Sequence, residues 1–350
     1  MKKDLNLEVK VMDNENIIQS QLNSNRINLG LSAPLQSPLV IYMETTTYCN
    51  LACKFCPHFI SPDEFEKGTM DFLFFKKVCA DLLSFTPKVK LLRFCGLGDS
   101  LMNKKITEFV EHAVENKVAE RFEMISNGLL LNDKNIPILA KTLDRLIISI
   151  EGLNNDQYWE FTNRKIKFDS FCKNLEKFSK VKNKKCKLHI KIHNSAVNSK
   201  AKIQKFHALF SDLADEIYIE NLVNLWPGVT SNLGLDSGHR FVSAPRREVK
   251  VCPQIFKSMQ VNHDGKIMPC CIDWKVENVI GDANTMSLSD IWNGEVVRQL
   301  QTKHLNGERH TFQPCATCSL NENSDIDNLD SDAKDILARV REKYQNLIED

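Results

Sequence analysis

The chain has no run of 18 apolar residues, so the sequence predicts no membrane-spanning helix. Neither charge is in excess, because 46 basic residues and 45 acidic residues give a formal net charge of +1. That balance offers no electrostatic reason to expect nucleic acid or a membrane as a partner. The first residues also lack the apolar segment of an export signal, so we expect a cytoplasmic protein.

Cysteine, in contrast, is plentiful, with 12 residues in a chain of 350. In a chain that is not exported, thiols bind metal more often than they form disulfides. Three of them form a C-x3-C-x2-C stretch: Cys49, Cys53 and Cys56. Three thiolates at this spacing can hold three irons of a [4Fe–4S] cluster, whereas tetrahedral zinc needs a fourth ligand that does not lie nearby. The fourth iron would stay open to a small molecule.

Segments with strand and helix patterns alternate after a polar extension at residues 1–36. One helix is predicted after Asp71, with Phe72, Phe75, Cys79 and Leu82 on one face. Six segments have the pattern of strands: 39–44, 89–94, 122–125, 145–150, 188–192 and 216–219. Six βα repeats imply a parallel sheet with ligands at the carboxyl ends of its strands, and a full eightfold barrel would need two more strands.

Polar or glycine-rich turns follow the second to fifth predicted strands. In chain order they are Gly96-Leu97-Gly98-Asp99-Ser100, Ser126-Asn127-Gly128, Ser149-Ile150-Glu151-Gly152 and His193-Asn194. Glycine allows a backbone carbonyl to approach a ligand closely. Ser149 and Glu151 share one face of a strand, so both could reach the same ligand. We expect His193 to be a hydrogen-bonded core residue.

A second group of cysteines lies in the C-terminal part of the chain, beyond a linker near residues 225–250. Its members are Cys252, Cys270, Cys271, Cys315 and Cys318. Cys252 and Cys270 are separated by 17 residues, and Cys315 and Cys318 form a C-x2-C pair. Four thiolates at such spacing suit an iron–sulfur cluster, and a zinc ribbon is the structural alternative. We expect Cys95 to be a core residue.

The first cysteine stretch, with an aromatic residue before its last cysteine, resembles the signature of the radical S-adenosylmethionine (SAM) superfamily. The turn at Gly96 is similar to the family motif that binds the methionyl amino group of SAM, although Gly-Asp-Ser replaces the usual Gly-Glu-Pro. The residues from Asn262 to Cys270 and from Ser287 to Gly294 resemble the SPASM/Twitch auxiliary-cluster domain. The resemblance covers roughly residues 38–320.

The resemblance implies an α/β fold: a partial (βα)6 radical SAM barrel with a small C-terminal α+β SPASM/Twitch-like cluster domain. We expect the barrel at 37–230, the cluster domain at 231–322 and a helical tail at 323–350. Cys49, Cys53 and Cys56 would hold a [4Fe–4S] cluster with SAM, and Cys252, Cys270, Cys315 and Cys318 one auxiliary [4Fe–4S] cluster. The predicted SAM contacts are Gly96, Gly98, Asp99, Ser100, Asn127, Ser149, Glu151 and Arg164.

Such enzymes cleave SAM reductively, and the resulting 5′-deoxyadenosyl radical abstracts hydrogen from a substrate. A fully ligated auxiliary cluster suits electron transfer, so we expect an oxidoreductase for a small-molecule substrate such as a sugar or cyclitol alcohol. The layout is similar to that of a twitch-type dehydrogenase that oxidises an aminocyclitol. The implied protein partner is an electron donor such as flavodoxin or ferredoxin.

Three other interpretations stay open. A peptide-modifying enzyme is one, although the 36-residue extension is shorter than the peptide-recognition domain of many such enzymes. An epimerase is another, with Cys271, or with less support Cys95, as the hydrogen donor. A non-catalytic electron-transfer or scaffold protein would leave the SAM-like turns unexplained.

Overall fold

The computed structural model describes residues 27–230, 248–323 and 327–345. Its strands are β1 (Val40–Met43), β2 (Leu91–Phe94), β3 (Arg121–Ser126), β4 (Arg145–Ile150), β5 (Lys187–His193), β6 (Glu216–Glu220), β7 (Ser258–Val261), β8 (Lys266–Met268) and β9 (Gly281–Asp282). The α-helices are α1 (Leu29–Ser32), α2 (Pro57–Ile60), α3 (Phe72–Leu82), α4 (Ile106–Glu115), α5 (Ile136–Thr142), α6 (Asn155–Thr162), α7 (Phe168–Val181), α8 (Lys200–Phe210), α9 (Leu288–Asn293), α10 (Glu295–Leu305), α11 (Leu320–Asn323) and α12 (Ala333–Gln345). Short 3-10 helices lie at Ser100–Met102, Asn194–Val197, Pro253–Phe256, Glu308–Thr311 and Cys315–Thr317.

The strands form one sheet in the order β6-β5-β4-β3-β2-β1-β7-β8-β9. Strands β1 to β6 are parallel, as the six predicted segments required. Strand β7 pairs in parallel with β1, and β8 and β9 add antiparallel strands beyond it. The C-terminal hairpin therefore continues the barrel sheet, so the partial barrel has a seventh parallel strand that the sequence had assigned to the cluster domain. The predicted domain boundary near 231 lies outside the described residues.

The two faces of the sheet differ in chemistry. Side chains on the outer face, such as Ile41 and Phe94, are fully buried under the helices. Burial of each such side chain stabilises the fold by about 1.5–3 kcal/mol. The inner face is charged instead, since Arg93, Glu123 and Arg145 lie opposite one another in register and form ion pairs of 2.6 and 3.3 Å. The apolar core thus lies between sheet and helices, and the barrel interior is left polar.

Local signals account for the helix ends. Asp71 caps α3 by accepting hydrogen bonds from the backbone N–H groups of Leu73 and Phe74, and the predicted face of that helix is buried at Phe75, Cys79 and Leu82. The predicted tail helix corresponds to α12, which buries Ile336, Val340 and Tyr344. Within the described ranges, no helix is both long and apolar enough to cross a membrane.

The C-terminal helix fastens the start of the described chain. Arg339 of α12 donates from Nε to Ala33 O at 2.8 Å and from Nη2 to Gly30 O at 2.5 Å. The end of the predicted extension therefore contains a short helix, α1, docked on the tail. Residues 1–26 of that extension lie outside the described residues.

Candidate active site

The loop that carries the first three cysteines follows β1; we call residues 44–56 the cluster loop. Helix α6 holds its middle, because Ala52 N donates to Thr162 O at 3.2 Å and Lys54 N donates to Phe161 O at 2.9 Å. Inside the loop, Cys56 N donates to Cys53 O at 2.9 Å. The cysteine spacing is thus folded into a compact turn at the carboxyl end of the first barrel strand.

The three thiols lie close enough to affect one another electrostatically. Burial raises the pKa of Cys49 and of Cys56 to about 12. The pKa of Cys53 is raised by burial and further by Glu151, Cys56 and Cys49. Buried thiols of this kind become thiolates when a metal supplies the compensating charge. The donor set therefore fits an iron–sulfur cluster, and Asn127 Nδ2 lies 3.9 Å from Cys49 Sγ beside it.

The glycine turn, residues 96–98, packs directly against the cluster loop. A Cβ on Gly98 would lie 2.3 Å from Thr46 O, and one on Gly96 would lie 2.4 Å from Glu44 Oε2. Only glycine allows such an approach. Glu44 also accepts a hydrogen bond from Leu97 N at 2.7 Å, and Asp99 N donates to Tyr48 O at 2.9 Å. The two predicted motifs are thus packed directly against each other.

Asp99 connects the glycine turn to the end of β3. Its carboxylate, 5% exposed as a residue, accepts hydrogen bonds from Leu101 N, Ser126 Oγ and Asn127 N at 2.7–3.0 Å. Burial raises the pKa of Asp99 despite these bonds. Its oxygens are therefore occupied by protein donors, so its contribution to a ligand would be to position the turns rather than to contact the ligand.

Glu151 and His193 form a second polar pair at the carboxyl ends of β4 and β5. His193 Nε2 lies 3.4 Å from Glu151 Oε2, yet this oxygen and both ring nitrogens lack a well-oriented hydrogen bond. Burial raises the pKa of Glu151 to about 7 and lowers that of His193 to about 4. His193 is 4% exposed, and Glu151 is its polar neighbour. Phe55 of the cluster loop packs on its ring at 5.5 Å.

The other predicted SAM contacts differ in their distance from the cluster loop. Asn127 lies against this loop, where its Nδ2 donates to Asn50 Oδ1 at 2.7 Å. Ser100 is buried in the 3-10 helix that follows the glycine turn, and Ser149 is half-buried on the inner face of β4. Arg164 is exposed, and its guanidinium donates to the neighbouring Asn163 O at 3.2 Å. The structure therefore does not bring the Arg164 side chain to the other predicted SAM contacts.

The C-terminal cysteines also converge. Burial, then the neighbouring Cys271 and Cys318, and also Cys252, raise the pKa of Cys270. Cys315 and Cys318 enclose a 3-10 turn whose carbonyls at both cysteines accept hydrogen bonds from Arg309 Nη1, at 3.3 and 2.9 Å. The residues again fit a thiolate-bound cluster, with Arg309 as a nearby compensating cation.

No group of three or more His, Cys, Asp or Glu side chains in the described part of the chain is arranged to hold a single metal ion. A [4Fe–4S] cluster differs in this respect, because each of its thiolates binds a different iron.

A cavity of about 210 Å³ is lined by residues from both the barrel and the C-terminal part of the chain; we call it the junction cavity. The barrel contributes Glu44, Thr47 and Leu97, and the C-terminal part contributes Cys271 and Trp274, among others. Its remaining lining residues are Glu64, Phe65, Glu66, Trp226, Gln260, Asn262, His263, Asp264, Lys266, Asp273, Lys275 and Val276. The cavity thus borders the cluster loop, the glycine turn and the residue next to Cys270.

Sequence reasoning did not single out Glu44, Gln260 or His263, which form one wall of the junction cavity. His263 Nδ1 lies 3.8 Å from Glu44 Oε1, and Gln260 Nε2 donates to Asn262 Oδ1 at 2.7 Å. The signal that could have found Glu44 was its place directly after β1. The other two depend on the pairing of β7 with β1, which no local pattern announces.

Two families match the sequence. The radical SAM superfamily matches residues 43–194, and SPASM, an iron–sulfur cluster-binding domain, matches residues 252–319. The second match begins at Cys252 and ends just beyond Cys318, which favours an iron–sulfur cluster over the zinc alternative. The chain accordingly binds a [4Fe–4S] cluster with SAM and carries an auxiliary iron–sulfur cluster.

Relatives of known name are distant. A Pyrococcus furiosus protein named as a tungsten-containing aldehyde ferredoxin oxidoreductase cofactor-modifying protein is 24% identical over an alignment of 324 residues that covers 82% of this chain and 88% of the relative. A Staphylococcus carnosus GTP 3′,8-cyclase is 27% identical over an alignment of 146 residues that covers 38% of this chain and 40% of that protein.

Solved structures share the fold. BtrN in complex with AdoMet and 2-DOIA matches with a TM-score of 0.54 and 19% identity over 84% of this chain and 95% of its own. Native anSMEcpe with bound AdoMet matches with a TM-score of 0.55 and 14% identity over 89% of this chain and 100% of its own. Streptococcus suis SuiB bound to precursor peptide SuiA matches with a TM-score of 0.52 and 14% identity over 84% of this chain and 72% of its own. With its fold, its cysteine groups and both family matches in agreement, this chain belongs to the radical SAM superfamily and carries a C-terminal SPASM domain.

Proposed function

We propose that this radical SAM enzyme oxidises an alcohol group of a compact small molecule, a sugar or cyclitol, in the junction cavity. The observation that carries the proposal is the position of this cavity. It borders the cluster loop and glycine turn through Thr47 and Leu97, and it borders the auxiliary cysteine group through Cys271. A substrate there would lie between the site that starts radical chemistry and a one-electron acceptor.

The ligands in this proposal are the cysteines predicted from spacing. Cys49, Cys53 and Cys56 would hold the cluster that binds SAM, and Cys252, Cys270, Cys315 and Cys318 the auxiliary cluster. When bound, these groups supply the radical that takes a hydrogen atom and the acceptor for one electron. The chain itself orients the ligands: Asp99 fixes two turns, and Glu151 with His193 offers unpaired polar atoms to a SAM hydroxyl or amino group.

The size and walls of the junction cavity favour a single ring over a peptide. Its volume of about 210 Å³ is below the roughly 300–1,000 Å³ typical of pockets for drug-sized ligands. Phe65 and Trp274 form an aromatic corner, with ring centroids 6.3 Å apart. Buried amide and carboxylate groups, including Gln260 and Glu44, offer hydrogen-bond partners for hydroxyl groups. An apolar face with several polar groups suits the C–H and O–H faces of a polyol.

Epimerisation is the second candidate, since Cys271 borders the junction cavity and is not needed as a cluster ligand. Burial raises the pKa of Cys271 to about 11, so its sulfur keeps a hydrogen atom that a substrate radical could take. Oxidation remains the preferred reaction because the auxiliary cysteine group supplies an electron acceptor that epimerisation does not require.

The test is turnover by anaerobically reconstituted enzyme with SAM and a flavodoxin or ferredoxin reducing system. A panel of cyclitols, sugars and their amino derivatives would be compared with linear peptides. We expect a new carbonyl product and 5′-deoxyadenosine from at least one ring alcohol, with deuterium moving from the carbinol carbon into 5′-deoxyadenosine.

The variant in which Cys49, Cys53 and Cys56 are all alanine serves as the control and should form neither product. Modification of a peptide without oxidation of any alcohol would contradict the proposal.

A further inference from the structure

Glu44 and His263 meet across the junction between the barrel and the C-terminal hairpin. Glu44 directly follows β1, and His263 lies in the turn between β7 and β8, so the pairing of β1 with β7 brings them together. Glu44 Oε1 lies 3.8 Å from His263 Nδ1, while Oε2 accepts the 2.7 Å hydrogen bond from Leu97 N. The carboxylate is therefore held by the glycine turn with one oxygen free to orient the imidazole.

The same wall of the junction cavity has polar atoms without protein partners. His263, whose side chain is 9% exposed, has no hydrogen bond at Nδ1, and the buried Gln260 has none at Oε1. Buried polar atoms in folded proteins are nearly always paired, so these two atoms lack partners that a bound ligand, or a closer Glu44, would supply. Catalytic hydrogen bonds are often long before the ligand binds, and the 3.8 Å separation fits that behaviour.

The imidazole of His263 packs closely against Gly68. A Cβ at this position would lie 2.1 Å from Nε2, so only glycine leaves room for the ring. With Nδ1 directed at Glu44, Nε2 is the nitrogen left to act on a ligand, as in other carboxylate–histidine pairs.

Charged groups face His263 from three elements. They are Glu44 after β1, Glu66 from the segment between α2 and α3, and Asp264 and Lys266 of the same hairpin. Lys266 Nζ is paired with Asp264 Oδ2 at 2.8 Å. Burial lowers the pKa of His263, but the adjacent Glu44 and the charges of Asp264 and Glu66 outweigh burial, so its pKa is raised. A histidine of raised pKa is a stronger base once it is unprotonated.

We propose that neutral His263 accepts the hydroxyl proton of the substrate at Nε2, with Glu44 as the residue that positions the ring and stabilises the imidazolium. This inference rests on the proposed alcohol oxidation. Conversion of a carbinol to a carbonyl removes a hydrogen atom, a proton and an electron. The hydrogen atom goes to the SAM-derived radical, the electron to an iron–sulfur cluster and the proton to His263, which balances the reaction.

The first measurement needs no substrate. Holoenzyme with 13C-labelled histidine is titrated by NMR, and the His263 signal is assigned by its absence in His263→Asn. We expect a pKa above the ordinary value of about 6.5, and a lower pKa in Glu44→Gln, whose amide oxygen can still accept from Leu97 N. A pKa that is not raised, or that Glu44→Gln leaves unchanged, would overturn the positioning role of Glu44.

The second measurement uses a ring alcohol that the wild-type enzyme oxidises in the panel above. His263→Asn should lower carbonyl formation about 100- to 10,000-fold, the usual contribution of a general base, while 5′-deoxyadenosine still forms. Because the base works unprotonated, kcat/KM should rise with pH as His263 loses its proton. Glu44→Gln lowers the pKa of His263, so this rise should occur at lower pH in that variant. Gly68→Ala should also lower carbonyl formation, because it crowds Nε2.

The matched control is His207→Asn, which alters an exposed histidine on α8 and should leave turnover unchanged. If His263→Asn forms the carbonyl product at the wild-type rate and with an unchanged pH profile, His263 is not the base. The proposed alcohol oxidation would then still stand. Failure of wild-type enzyme to oxidise any alcohol would overturn the proposed function, and the base with it.

Discussion

Replacement of Asp99 by alanine would test how the two motif turns are held together. The carboxylate accepts from Leu101 N at 2.9 Å and from Asn127 N at 2.7 Å, and Ser126 Oγ donates at 2.9–3.0 Å. The serine hydroxyl can rotate to another acceptor, but the two backbone N–H groups cannot. A buried donor left unpaired costs about 1–3 kcal/mol, so Asp99→Ala should lower the free energy of unfolding by about 2–6 kcal/mol.

Burial of the carboxylate offsets part of this loss. It raises the pKa of Asp99, which means that the charged group is itself costly to bury. We therefore expect the lower half of that range. The same change should loosen the glycine turn and weaken SAM binding, while the cysteines keep the first cluster.

Urea unfolding of the apo protein measures the stability change, and equilibrium dialysis of reconstituted enzyme measures SAM affinity beside iron content. Asp133→Ala is the matched control, because this aspartate is 81% exposed in its side chain and pairs with Lys177 at 2.8 Å. An exposed pair of this kind contributes at most about 1 kcal/mol. Wild-type stability and SAM affinity in Asp99→Ala would refute this reasoning and show that another group holds the glycine turn.

Three further predictions concern the cofactors and the fate of the substrate radical. After anaerobic reconstitution we expect about eight irons per chain, and about half of that, without SAM cleavage, when Cys49, Cys53 and Cys56 are all alanine; tightly bound zinc in the remaining site would contradict the auxiliary cluster. Gly98→Ala puts a Cβ 2.3 Å from a cluster-loop carbonyl oxygen, so we expect the free energy of unfolding to fall by about 1–3 kcal/mol and SAM binding to weaken. An unchanged melting curve would contradict this close packing. In deuterated water, Cys271→Ala should still oxidise its substrate and leave no solvent deuterium at the attacked carbon; loss of turnover, with deuterium in the wild-type product, would favour epimerisation.

Much of the barrel could be predicted because its signals are local. The six strands β1 to β6 fall within two residues of the predicted segments, since apolar β-branched runs and turn residues define each one. The cap at Asp71 and the buried face of α3 follow from the same kind of evidence. The seventh parallel strand could not be found in this way, because β7 pairs with β1 across more than 200 residues of chain.

The inner face of the barrel shows the limit of pattern reading. Polar residues alternate along β5, from Lys187 to His193, but alternation alone does not say whether the polar face meets solvent or a closed interior. The structure makes it an interior, where Lys191 pairs with Glu220 at 2.8 Å. The surroundings of His193 depend on other elements in the same way, because Phe55 and Phe161 pack against its ring.

The sequence by itself determined the chemistry that the chain carries: two cysteine groups, a glycine turn and the βα order that sets them at strand ends. These features depend on residues near one another in the chain, so spacing is enough to reveal them. Tertiary structure alone decided which groups face one another. Glu44 meets His263, and Cys271 faces the junction cavity, because the C-terminal hairpin pairs with the edge of the first strand. That pairing depends on the packing of the whole sheet, which no short stretch of sequence specifies.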